Sequence, residues 1–572
     1  MRILLIADAF NSLTQRLHTV LRDLGHTVCV QLALGEHALR EGVDRTSPDL
    51  VLAPMLTTAV PEDIWSARPV LIVHPGPLGD RGPSSLDWAL HDEAREWGVT
   101  VLQAAAEMDA GDAWASVPFR MPTGVAKSDL YRGEVAEAAV QAVLLAVERF
   151  ADPDRTPVAL DPSAPDARGR LRPYHDQSHR RIDWAVDDTR TVLRKLRAAD
   201  SRPGVLDELH GTAYYLHGGH PEDELRDGTP GRILATRDGA ICRATTDGAV
   251  WIPELRRSRA KGSPPAWKLP AADVLAAHLA DVPDVPVSPE QAAYRATYAQ
   301  IRYTEEGPVG FLEFSFPGGA MSTSQCRRLL AAYRAACTRP TSVLVLGPER
   351  DIFSNGIHLG VIEAATDPVS ESWSNITAMN DLVEAVLTTT DRLTVAALPG
   401  SAAAGGLMLA LAADEVWCRE AAVLNPHYRL MGLHGSEYWT YTLPRRVGAE
   451  TAHRLTTEAL PLSASRAESL GLIEASIRDT PAGFRTRVAR HAAELAASDS
   501  TAARLGRKKQ RLEENEGTRP LASYRAAELD EMARNFRGGP GERYPELRRA
   551  FVLKTRPLHT PDHLTRLCAP PC

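Results

Sequence analysis

Long apolar runs are missing from this chain: charged residues and prolines interrupt every stretch before it reaches the about 18 positions a bilayer-spanning helix needs. Cysteine is scarce and scattered, seven residues at 29, 242, 326, 337, 418, 568 and 572 with no C-x-x-C pair. That speaks against a zinc site and against a disulfide framework, so no metal is expected. Positive charge is not in excess either: 65 Lys and Arg face 73 Asp and Glu, a formal charge of −8. Nucleic-acid binding rests on basic residues neutralising phosphates and is therefore disfavoured. No G-x-G-x-x-G follows the first strand, which removes the dinucleotide-binding reading. The opening MRILLIADAF lacks the apolar stretch and cleavage site of a secretory signal. A mature cytoplasmic protein with no membrane segment is expected.

What is present is ordinary globular material, 44% apolar and 24% charged over 572 residues, enough for roughly three or four domains. The first 150 residues alternate strands and helices. Apolar runs at 3–7, 27–32, 50–53, 70–73 and 99–103 read as strands, and Leu13, Leu17, Leu21 and Leu24 form one helical stripe. Ser12 and Gln15 fit a capping box and Gly25 a helix stop. The fold class predicted is α/β and multidomain, beginning with a doubly wound, mostly parallel sheet. A Pro, Asp and Arg-rich linker near 151–175, a helix over 187–199 and short strands near 213–216, 232–236 and 250–252 predict a small β domain. After a proline-rich linker at 281–290, a third domain runs into helices of mixed charge from about 485. The boundaries expected are 1–160, 165–282 and 290–572.

Two loops in the first domain carry chemistry. The run VLIVHPGPLGDRG ends a strand at His74, and GVTVLQAAAEMDAGD ends another before Asp109. A strand-end imidazole faced by a carboxylate can polarise a carbonyl and organise proton movement. At these residues the chain resembles the folate-dependent formyltransferases. His74 with Arg81 and Gly82 matches their Asn-x-His…Arg-Gly loop, and 108–112 matches their Leu-Asp-x-Gly-Asp loop, which implies that Asp109 is the catalytic carboxylate. The small β domain is also found in members acting on tRNA. The family's Asn, two residues before its His, is Ile72 here.

The third domain holds FSNGI at 353–357 and AALPG followed by SAAAGG through Gly406, glycine-bearing turns suited to an oxyanion hole. Amides of Ile357 and Gly405 are the expected donors. This part is similar to the enoyl-CoA hydratase/isomerase (crotonase) superfamily, and LPRRVG at 443–448 extends the match. Hydratases activate water with two glutamates; those positions are Met408 and Tyr428 here, or His427 if the register slips by one. Neither side chain is a good base at neutral pH. The segment NPHYRLMGLHGSEYWTY, 425–441, instead offers Tyr428, Glu437, Tyr438 and Tyr441. The basic run 504–511 reads as a solvated helix face in preference to a site for CoA phosphates.

A formyltransferase followed by a crotonase resembles the HypX/HoxX family of [NiFe]-hydrogenase maturation factors over the whole chain. The stretches FNSLTQRL, DRGPSSLDWA, YRGEV and GSEYWTYTLPRRVG carry the resemblance most specifically. It implies carbon monoxide synthesis: formyl transfer from 10-formyltetrahydrofolate to coenzyme A, then decarbonylation of formyl-CoA. By the resemblance, Gln15, Arg132, Ser201 and Arg202 contact folate, Arg202 standing where the family carries glutamine. Ser354, Gly356 and Gly406 complete the CoA side, bound CoA is expected, and a hydrogenase assembly protein is the implied partner. Two other readings stay open: a formyltransferase for an amine acceptor with a CoA-recognition module, and a non-catalytic folate- or CoA-binding scaffold.

Overall fold

Strand β1 (Arg2–Ala7) lies beside β2 (Thr27–Leu32) and β3 (Leu50–Pro54), and β4 (Val70–His74) follows, all parallel. Both β1 and β3 are almost wholly apolar because helices cover both sheet faces. The sheet then departs from the parallel pattern: β5 (Glu96–Gln103) and β6 (Ala113–Arg120) pair antiparallel, giving the order β2-β1-β3-β4-β5-β6. The predicted capping box is not formed. The helix Ser12–Asp23 is capped by Asn11, whose side chain accepts from the Thr14 amide, and Gln15 lies one position too late to reciprocate.

In this computed structural model, residues 1–161, 167–226, 228–259, 262–292 and 294–565 are described. They form two units, Met1–Pro283 joined by the tail from Arg556, and Asp284–Thr555. In the first unit the small β domain is two four-stranded antiparallel sheets around one apolar core that includes Leu196, Leu216, Val250 and Ile252. The tail does not stay with the helices before it: Thr560 Oγ1 accepts from the Leu32 amide at 3.0 Å on β2. Cys29 on β2 is disulfide-bonded, whereas Cys242, Cys326, Cys337 and Cys418 are free.

The second unit is built on a six-stranded sheet whose strand Ile301–Glu306 is antiparallel and the rest parallel. Two-residue strands at Gly356–Ile357 and Ala402–Ala403 carry the glycine turns beside it. Helices Pro368–Thr388 and Leu521–Arg537 pack on this region. Arg504 and Lys508 are not part of a solvated face: they pair with Glu415 and Asp414, the latter at 2.7 Å. Among the described residues no helix is long and apolar enough to cross a membrane, and no group of three or more His, Cys, Asp or Glu is placed to hold a metal ion.

Candidate functional site

The first site is assembled at the end of β4. His74 is 5% exposed, and its Nε2 lies 2.9 Å from Asp80 Oδ2, a carboxylate that is itself buried. On the other side Nδ1 lies 3.5 Å from Asp109 Oδ1, long for a hydrogen bond. Asp109 adopts a left-handed backbone (φ 56°) and accepts from the Gly82 amide at 3.3 Å. Burial by itself lowers the His74 pKa, but hydrogen bonds and charge from Asp109 and Asp80 outweigh it and raise the pKa to about 9. Burial raises the Asp109 pKa, but the interaction with His74 brings it below the ordinary carboxylate value. The acidic neighbours thus favour the protonated imidazole at His74.

Gly76 makes this approach possible. A Cβ there would sit 2.3 Å from Asp80 Oδ2 and 2.6 Å from His74 Nε2. Sequence reasoning singled out His74, Arg81, Gly82 and Asp109 but passed over Asp80, although it lies inside the same D-R-G loop. Arg81 reaches Glu107 at 2.8 Å, across the mouth of the Asp109 loop. Ile72 packs its side chain against the apolar cluster that includes Leu4, Ile6 and Val51, so no polar group replaces the family's Asn from that position.

The residues expected on the folate side divide into two places. Gln15 Nε2 donates to the Phe10 carbonyl at 2.9 Å, in the first turn of its helix. Arg132 sits in a π-helical turn, Tyr131–Val135, and bonds Asp129 at 3.1 Å. The helix that leads into that turn also holds the 200–203 loop: Ser128 Oγ donates to Asp200 and Lys127 Nζ to the Arg202 carbonyl at 2.6 Å. Arg132, Ser201 and Arg202 are thus carried by one pair of interlocked segments.

The second site lies where the two glycine turns meet. Gly356 (φ 80°) places its Cα so that a Cβ would stand 3.2 Å from the Gly405 amide. Ser354 Oγ accepts from the Gly356 amide at 3.1 Å and Ser354 O from the Ala403 amide at 2.9 Å, fixing one turn on the other. Gly405 and Gly406 open the helix Ala404–Leu411, where amides have no intrahelical acceptor. A Cβ at Gly405 would lie 2.1 Å from Glu437 Oε1, so only glycine admits that carboxyl. The two turns thus bring glycine amides at a helix start beside a buried carboxyl.

Glu437 is 1% exposed. Its Oε2 accepts from the Tyr428 hydroxyl at 2.8 Å and from the Ser436 amide at 3.1 Å. Burial raises its pKa to about 7; Tyr428 pulls against that shift and the charge of Glu528 adds to it. Tyr428 is pushed well up, first by burial and then by the facing Glu437. Of the two neighbours, it is the Tyr428 hydroxyl that donates to Glu437. Met408 is buried in the apolar core.

The other two tyrosines turn away. Tyr438 is fully buried with its hydroxyl toward Glu384 and Arg525, while Tyr441 OH accepts from Asn515 at 3.0 Å under the guanidinium of Arg445. Both pack the C-terminal helices and neither bonds Glu437. Sequence reading missed Asn380 and Glu528, both fully buried. A signal existed: each is a polar residue on the apolar stripe of its helix, as with Leu521, Tyr524, Glu528 and Met532.

Residues 319–536 match the enoyl-CoA hydratase/isomerase family, and 176–267 match the formyl transferase C-terminal domain. The chain is 46% identical over 562 residues to the hydrogenase maturation factor HoxX of Bradyrhizobium diazoefficiens, covering 98% of this chain and 96% of that protein. A methionyl-tRNA formyltransferase of Roseiflexus castenholzii is 27% identical over 232 residues, 40% of this chain and 69% of that one. The crystal structure of HypX from Aquifex aeolicus in complex with tetrahydrofolic acid superposes with a TM-score of 0.94 at 41% identity, over 99% of this chain and 98% of that one.

Proposed function

Because the chain belongs to the HypX/HoxX family of hydrogenase maturation factors, we propose that it makes carbon monoxide for the [NiFe]-hydrogenase iron centre, from 10-formyltetrahydrofolate by way of formyl-CoA. The tetrahydrofolic acid bound to the Aquifex protein supports the choice of donor. The setting is the cytoplasm, with a hydrogenase assembly protein as a transient partner for the product.

In the first step the CoA thiolate attacks the formyl carbon, the C–N10 bond breaks, and N10 takes a proton. His74, held as imidazolium, is the donor for the formyl oxygen. Asp109 receives the thiol proton and relays it to N10, for which its loose 3.5 Å contact with His74 leaves room. Gln15, Arg132, Ser201 and Arg202 hold the folate.

In the second step the Ile357 and Gly405 amides hold the formyl-CoA oxygen. The Glu437 carboxylate takes the formyl hydrogen as a proton, the C–H electron pair stays on carbon, and the C–S pair leaves with sulfur. Glu437 then returns the proton to the CoA thiolate, so that HC(O)S–CoA gives CO and HS–CoA. A carboxyl titrating at about 7 suits exchange with a thiol of ordinary pKa about 8.5. The observation that carries the proposal is the buried Glu437 carboxyl over Gly405, with Met408 and Tyr428 where a hydratase keeps its acids. With no carboxylate at either of those two positions, the pair of acids that activates water in a hydratase is missing, and CO rather than formate is the expected product.

The test is to incubate the purified protein with 10-formyltetrahydrofolate, with and without CoA, and to follow CO by haemoglobin absorbance alongside formate. CoA-dependent CO in excess of formate is expected. Formate alone, or formyl transfer that ignores CoA, would overturn the proposal.

A further inference from the structure

The loop that presents Glu437 has an unusual backbone: Glu437 (φ 60°) and Tyr438 (φ 58°) are consecutive left-handed residues without glycine. Such residues cost of order 1–3 kcal/mol each and persist only where the surroundings over-determine them. Two helices supply the constraint. From Pro368–Thr388, Asn380 Oδ1 accepts from the Glu437 amide at 2.7 Å and Nδ2 donates to Ser436 Oγ at 2.9 Å. From Leu521–Arg537, the fully buried Glu528 accepts from the Tyr438 amide and the Thr440 amide at 2.9 Å each, from Thr440 Oγ1 at 2.5 Å, and from Ser436 Oγ at 3.3 Å.

Every partner of Glu528 donates to it, an arrangement that favours the ionised carboxylate against the burial that raises its pKa. The two amides belong to the start of the helix Trp439–Val447, whose dipole favours an anion there. Arg525, one turn before Glu528, locks Leu521–Arg537 to Pro368–Thr388 through Asp381 at 2.6 Å and Glu384 at 2.9 Å.

We infer that Glu528 is a positioning residue for decarbonylation: it pins the two left-handed residues that aim Glu437 at Gly405, and it is the buried like charge that Glu437 feels. This rests on the reading of Glu437 as the proton carrier. The titratable and charged groups facing Glu437 are Tyr428, Glu528 and the buried thiol of Cys326, while Arg525 and Glu384 face Tyr438 beside it. Of those facing Glu437, only Glu528 is a second carboxyl. It makes Glu437 harder to ionise, so neutralising Glu528 lowers the pH at which Glu437 becomes a base.

The experiment is the pH dependence of CO release by full-length Glu528→Gln, with 10-formyltetrahydrofolate and CoA supplied and formyl-CoA assayed in parallel. The acid limb is expected to move down by about half a pH unit or more, roughly threefold in relative rate on that side. The maximal CO rate falls several-fold while formyl-CoA formation is unchanged. A wild-type profile and rate in a folded variant would overturn the inference. If Glu528→Gln does not fold, Thr440→Val removes one donor to Glu528; a smaller shift in the same direction is then expected and an unmoved limb overturns it. Glu437→Gln, run alongside, separates the two ideas. If it releases CO normally, Glu437 is not the proton carrier and the inference falls with that reading. If it is inactive while Glu528→Gln behaves as wild type, only the inference fails.

Discussion

Replacing Glu437 by Gln is expected to make the protein more stable and nearly inactive, with the stability gain appearing only at higher pH. The carboxyl is buried and titrates at about 7 instead of 4.5. At about 1.4 kcal/mol per pH unit, that difference puts the cost of holding the ionised form in the fold at roughly 3 kcal/mol as an upper figure. The sign follows from the raised pKa. Below the unfolded value both states carry the proton and nothing is lost; stability drains away as pH rises from about 4.5 to about 7 and the full cost stands above it. Glutamine keeps an oxygen for the Tyr428 hydroxyl and the Ser436 amide, and carries no charge at any pH. Thermal unfolding of the two proteins should therefore converge below about pH 4.5 and separate by several degrees above about pH 8, at roughly 2–4 °C per kcal/mol. Hydrogen exchange of the amides in 434–447 localises the change to this loop. CO release should fall by about a hundredfold or more, as expected for loss of a proton-transfer group. A variant less stable than wild type at alkaline pH, or a difference that does not vary with pH, would refute the reasoning.

Three further outcomes follow from the same geometry. Gly405→Ala puts a Cβ 2.1 Å from Glu437 Oε1 and should stop CO release while formyl-CoA accumulates; equal loss of both steps would contradict this. Tyr428→Phe removes the hydroxyl 2.8 Å from Glu437 and should move the acid limb of CO release to higher pH, whereas Tyr438→Phe, whose hydroxyl faces Arg525 and Glu384, should leave it in place. Asp80→Asn removes one of the carboxylates that hold the His74 pKa at about 9 against burial, so the alkaline limb of formyl-CoA formation should move down, below that value. Formyl transfer with an unmoved alkaline limb would show that the His74 proton is not what the step uses.

Much of this protein was legible in its sequence because the signals are local. The apolar runs of β1 to β4 set strands within a residue of those observed, and the H-P-G and M-D-A-G-D turns marked His74 and Asp109 through chemistry confined to a few positions. The glycine turns at 356 and 405 announced themselves in the same way, as did the absence of acids at 408 and 428. Local reasoning was outdone even at short range where two residues competed: Asn11 took the cap that Ser12 was expected to hold. Strand direction was not legible, because an apolar strand reads the same whether its neighbour runs parallel, as β3 does to β4, or antiparallel, as β5 does. Nor was the choice among Tyr428, Tyr438 and Tyr441, which are alike in composition and differ only in where the fold points them. The tertiary structure alone joined Glu528 to Tyr438, 90 positions away, and returned Thr560 to β2. Periodicity and turn chemistry act over a turn of helix or a pair of strand residues; which buried charge meets which helix end depends on packing between segments that have no sequence relation to one another.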